Sequence, residues 1–167
     1  MGCDRLPSNF DTPMSVPYRH RVLFTRDALA PANASIASLI CEPDAPAPRR
    51  LVAFVDSGLA QAWPGFAQGL RDYCAAHAGA PEVVLVETVP GGERAKQSSA
   101  VVDRVVAAVD EHRIDRQSFV LAAGGGAVLD AVGYAAAIAH RGCRLLRLPT
   151  TTRSEEHTSE LQSLSSI

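Results

Sequence analysis

An apolar run of strand length, Ser118 to Ala123, breaks into Gly124, Gly125 and Gly126 and then passes into an Ala-rich helical pattern that carries Asp130 one turn in. Three glycines let the backbone approach a ligand closely and turn sharply with no Cβ in the way. A helix starting there points its unpaired N–H groups and the positive end of its dipole at the turn, which favours an anionic group. The chemistry on offer is therefore a phosphate cradle built from residues 124–130, with Ala127, Val128 and Leu129 in its first helical turn. It is not the dinucleotide fingerprint G-x-G-x-x-G, because Leu129 stands where the third glycine belongs. A tight strand-to-helix turn with no ligand is the alternative from this segment alone.

Other residues could share that site. Glu93 and Lys96 stand three apart at the start of a helical pattern, so both can face one patch. A solvated ion pair is the plainer reading of them. Asp56 follows an apolar run, where it could meet a ligand or cap the next helix. Asp130 could simply complement the helix dipole, as could Arg141 at the other end of that helix. Thr150 and Thr151 follow Pro149 and carry hydroxyls suited to phosphate or ribose, or to a turn. His20, His77, His112, His140 and His157 show no metal-ligand spacing, and Cys3, Cys41, Cys74 and Cys143 form no C-x-x-C pair. Reduced thiols fit that pattern best.

Four motifs follow in order: Gly92-Glu-x-x-Lys96, Gly124-Gly-Gly-x-x-x-Asp130, Arg141-Gly142 and Pro149-Thr-Thr151. In this order the chain, from about Tyr18 to Thr151, resembles the amino-terminal half of 3-dehydroquinate synthase and its sugar phosphate cyclase relatives. The resemblance implies NAD as cofactor, held by Asp56, Glu93, Lys96, Gly124 to Asp130, Thr150 and Thr151. Glu93 and Lys96 would take its ribose and phosphate side, Asp130 the nicotinamide-side ribose, and Asp56 the adenosine hydroxyls. Arg141 would reach the phosphate of the sugar substrate across a homodimer, a task suited to its rigid bidentate fork. Such enzymes oxidise a substrate hydroxyl transiently with bound NAD, eliminate phosphate, reduce the ketone again and close a carbocycle. For 3-dehydroquinate synthase the substrate is a seven-carbon keto-acid sugar phosphate on the shikimate route to aromatic amino acids. The family's divalent metal, zinc or cobalt, is held in a carboxyl-terminal α-helical domain that this sequence lacks, so the chain alone is expected to be inactive. Two departures stand out: Gly91 where the family usually has Asp, and Leu129 where it usually has Gly before the Asp. Phe24-Thr-Arg-Asp27 and Gly133-Tyr-Ala-Ala-Ala137 look more like divergent cyclases than the central-metabolic enzyme. An iron- or zinc-dependent polyol dehydrogenase and a non-catalytic nucleotide-binding module are the alternative classes.

The elements that must position these groups follow from periodicity. Strand character spans Tyr18 to Thr25, Leu51 to Val55, Val83 to Val86, Phe119 to Ala122 and Arg144 to Leu148. Helices are expected over Asn33 to Ile40, Trp63 to Ala78 with Pro64 in the first turn, Ala95 to Arg113, and Ala127 to His140. Glu42 to Pro48 is a Pro-rich connector. Alternating strands and helices predict an α/β, Rossmann-like parallel sheet with helices on both faces. Ligands of such sheets collect beyond the carboxyl ends of the strands, where Asp56, Glu93, the glycines and the two threonines all fall.

Length and composition bound the rest. The 167 residues suit one domain. Residues 1–16 read as an irregular leader, 17–152 as the NAD-binding domain, and 153–167 as an adapter-derived artefact with no matching periodicity. A net charge of −2 predicts no general affinity for nucleic acid or anionic membrane. No apolar run reaches membrane-spanning length, no secretory core opens the chain, and Leu6 breaks the myristoylation pattern of Met1-Gly2. A cytoplasmic protein is the expectation.

Overall fold

The computed structural model describes residues 12, 13, 15, 20–42, 48–92, 99–139 and 142–150. Four parallel strands, β1 (Arg50–Asp56), β2 (Glu82–Val89), β3 (Phe119–Gly124) and β4 (Arg144–Pro149), lie in the order β2-β1-β3-β4. Between them run α2 (Ser57–Ala62), α3 (Phe66–Ala76), α4 (Ala100–Glu111) and α5 (Gly126–Ile138), with a short α1 (Ala37–Ile40) ahead of β1.

Strands β1 and β3 are buried throughout their centres because helices cover both sides of the sheet, and an uninterrupted apolar run is what such a strand needs. Alternate side chains serve opposite layers. Val52, Phe54, Val120 and Ala122 pack against α4 and α5. Leu51, Ala53, Val55, Phe119 and Leu121 pack against α1 and α3. Helix α3 buries Phe66, Leu70, Tyr73 and Cys74, and α4 buries Val101, Val105, Ala108 and Val109. Both sets follow the spacing i, i+4, i+7, i+8 of a single apolar stripe. The β1–β2 register slips between Leu51 and Val52, leaving Val84 without a partner. Val84 and Leu85, neighbours in sequence, consequently both pack toward α4 and α5, the mark of a bulge.

Three expectations change. Residues 20–25 form no strand, and Phe24 there is 92% exposed. The first helix shrinks to Ala37–Ile40. The helix expected over Trp63 to Ala78 runs only from Phe66 to Ala76, and a separate α2 that was not expected precedes it, the two parted by Trp63-Pro64-Gly65. Pro64 explains the break: the residue before a proline is pushed off the helical region, and Trp63 has φ −135° and ψ 81°. Most of the leader, most of the Pro-rich connector and the segment from residue 151 onward lie outside the described residues.

Candidate functional site

The chain passes from β1 outward to β2, then back across to β3 on the other side of β1. The strand order thus reverses between β1 and β3, and a crevice at such a reversal is where open α/β sheets bind ligands. Register places Asp56 beside Val89, Val55 beside Ala123, and Gly124 beside Pro149. Asp56, the glycine turn and Thr150 are therefore neighbours along one sheet edge, as their positions after strand ends predict.

At the turn, Gly124 has φ +152° and Gly125 precedes α5 in an extended conformation. The amides of Val128 and Leu129 bond back to Gly125 O at 3.0 and 3.1 Å, and both side chains are buried in the α4–α5 layer. Their part is to hold the turn, which leaves the Gly126 and Ala127 amides at the open end of the helix. The Thr150 amide donates to Gly124 O at 3.0 Å, fastening the chain after β4 to the turn. Asp130 is exposed on the first turn of α5.

Asp56 caps α2. Its Oδ1 accepts the Gly58 amide at 2.7 Å, so the capping role open in the sequence is the one its geometry displays. Sequence reasoning missed Ser57 and Gly91 here: the Gly91 amide donates to Ser57 Oγ at 3.2 Å. The Asp-Ser-Gly that ends β1 was the available signal, since short polar side chains after a strand commonly bond nearby backbone. Glu93, Lys96, Arg141 and Thr151 lie outside the described residues. Among the described residues no group of three His, Cys, Asp or Glu side chains is arranged for a metal. Burial raises the thiols of Cys41, Cys143 and Cys74, the last to about 11, so none is a ready nucleophile.

Fold and edge together define a doubly wound α/β domain with a glycine turn at its strand-order reversal. Comparison with known proteins makes this particular. Residues 86–159 match the 3-dehydroquinate synthase N-terminal family model. A 3-dehydroquinate synthase from Gloeobacter violaceus is 47% identical over 64 residues, 38% of this chain and 18% of that protein. A 2-epi-5-epi-valiolone synthase from Streptomyces glaucescens is 35% identical over 133 residues, 80% of this chain and 31% of its own. The solved structure of ValA, the 2-epi-5-epi-valiolone synthase of Streptomyces hygroscopicus subsp. jinggangensis with NAD+ and Zn2+ bound, superposes with a TM-score of 0.65 at 26% identity, covering 85% of this chain and 35% of that one. These matches make the chain similar to the amino-terminal part of 3-dehydroquinate synthases and of related sugar phosphate cyclases. It spans less than a third of the length of these two sequence relatives. No helix among the described residues is long and apolar enough to cross a membrane.

Proposed function

We propose that this chain is the NAD-binding portion of a cyclase that converts a sugar phosphate into a carbocycle with loss of phosphate. The observation that carries this reading is the meeting of Asp56, the Gly124–Gly126 turn and Thr150 at the strand-order reversal, in a chain akin to a synthase solved with NAD+. The Gly126 and Ala127 amides, at the positive end of a 13-residue helix, suit the pyrophosphate. Thr150, whose backbone amide is tied to that turn, offers it a hydroxyl, with Thr151 next in sequence. In this reading Glu93 and Lys96 hold the ribose and phosphate side, Asp130 binds the nicotinamide-side ribose, and Asp56 lines the wall that meets the adenosine. NAD, when bound, supplies a reversible hydride acceptor. Arg141 binds the substrate phosphate, reaching it across a homodimer of the full-length protein. The divalent metal of that full-length protein, zinc in the solved relative, is assigned no ligand among the described residues.

Titration calorimetry of the chain with NAD tests the reading. A charge-assisted hydrogen bond is worth about 1.5–3 kcal/mol, so Lys96→Ala should weaken binding roughly ten- to a hundredfold. Unchanged affinity in that variant would remove Lys96 from the site, and no binding by the parent chain would remove NAD from the reading. For the full-length protein the expected turnover is phosphate release without net NADH; net NADH would indicate a polyol dehydrogenase instead.

A further inference from the structure

Asp56 is enclosed by glycines from two other strand ends. A Cβ placed on Gly91 would lie 2.5 Å from Asp56 Oδ2 and 2.7 Å from Cγ, and nearer still to Oδ1. A Cβ on Gly124 would lie 2.5 Å from Asp56 Cβ and 3.3 Å from Oδ2. The carboxylate is not free to swing aside, because Oδ1 is held by the Gly58 amide at 2.7 Å. Meanwhile the neighbouring Ser57 Oγ holds the Gly91 amide at 3.2 Å, so loop and carboxylate are drawn together from both sides. Real Cβ atoms do not approach carbon or oxygen this closely, so each glycine is the absence of a side chain where Asp56 already fills the space.

We propose that Asp56 is a positioning residue of the cleft: its carboxylate is the spacer that fixes the Gly91–Gly92 loop against the Gly124–Gly126 turn. In this chain Gly91 and Asp56 are then a matched pair: with the loop placed as it is here, a Cβ at 91 is accommodated only when the carboxylate is withdrawn. The cofactor arm of this inference rests on the NAD reading above; the steric arm does not.

The two glycines differ in a way that supplies the control. Gly91 is opposed by Asp56 Cγ and its oxygens, all of which Asp56→Ala removes. Gly124 is opposed most closely by Asp56 Cβ, which Asp56→Ala keeps. The experiment compares the parent chain, Gly91→Ala, Gly124→Ala and Asp56→Ala with the two double variants that pair each glycine change with Asp56→Ala. Urea midpoints and NAD dissociation constants by calorimetry are the readouts. We expect Gly91→Ala to weaken NAD binding about tenfold or more in the parent background, and by less than about threefold once Asp56→Ala is present, a coupling of the size seen for residues in contact. The urea midpoints should show the same rescue, or a rescue of folding should Gly91→Ala alone not fold. Gly124→Ala should stay impaired in both backgrounds. Additive effects of Gly91→Ala and Asp56→Ala would overturn the proposal, as would equal rescue of both glycine variants. Failure of the parent chain to bind NAD would count against the functional reading alone, leaving the midpoint cycle to decide the spacer.

Discussion

Tyr73 shows how a single side chain fixes the layer beneath the cleft. It is 0% exposed, donates to Asn33 O at 2.5 Å and accepts the Ala37 amide at 3.0 Å, while His77 packs on its ring at a centroid distance of 4.3 Å. Tyr73→Phe keeps the ring but leaves the buried Ala37 N–H and the partly buried Asn33 C=O without the hydroxyl, which costs about 1–3 kcal/mol. Urea denaturation should show a lower midpoint at unchanged slope. Nothing in the sequence marks this hydroxyl's partners, because they come from the start of α1 and the turn ahead of it, far away in the chain. Asp56 was legible in a different way. Its place after an apolar run identified it as either a cap or a ligand-binding residue, and only coordinates show the cap together with the glycines around it. The glycine turn was legible outright, since three glycines between a strand pattern and a helix pattern leave few other structures.

At the scale of elements, Ser118 ties the starts of β1 and β3 together. It is 2% exposed; its hydroxyl donates to Asp115 Oδ1 at 2.7 Å and accepts the Arg50 amide at 3.2 Å. The Ser118 hydroxyl, with the Ser118 and Gln117 amides, holds the Asp115 carboxyl below its ordinary range. The Arg144 guanidinium, helped by that of Arg49, does the same for Glu42. A carboxyl depressed on folding adds stability that is complete above its unfolded value, about pH 4, and is lost as pH falls through the lower folded value. Urea midpoints should therefore drop between about pH 5 and about pH 3. Ser118→Ala should flatten that drop and cost about 1–2 kcal/mol at neutral pH. The order and type of the main strands and helices were legible from periodicity, because β1, β3, α3 and α4 each present one clean pattern. The failures have physical causes. Helix α2 buries no residue, so it leaves no apolar stripe to read. The strand character of residues 20–25 describes side chains suited to a ladder, but propensity cannot supply a partner strand.

At the scale of the molecule, cleft and sheet stand or fall together, since the ligand edge is made of the ends of the same strands that carry the core. A ligand that binds only the folded state stabilises it by about 2.7 kcal/mol at a hundred times its dissociation constant. For a chain of this size that corresponds to a rise in unfolding temperature of roughly 5–10 °C. Differential scanning fluorimetry with saturating NAD should show this rise, and the Lys96→Ala variant should show a smaller one at equal NAD. The reversal of strand order has a further consequence for synthesis. Strand β1 emerges from the ribosome with five consecutive residues destined for burial, and β2 can cover only one of its two edges. The other edge waits for β3, and the stretch from Val89 to Gly124 takes roughly 2–7 s to make at about 5–20 residues/s. Throughout that interval the nascent chain carries a strand with an apolar centre and one open edge, the kind of surface that invites aggregation before the sheet is finished.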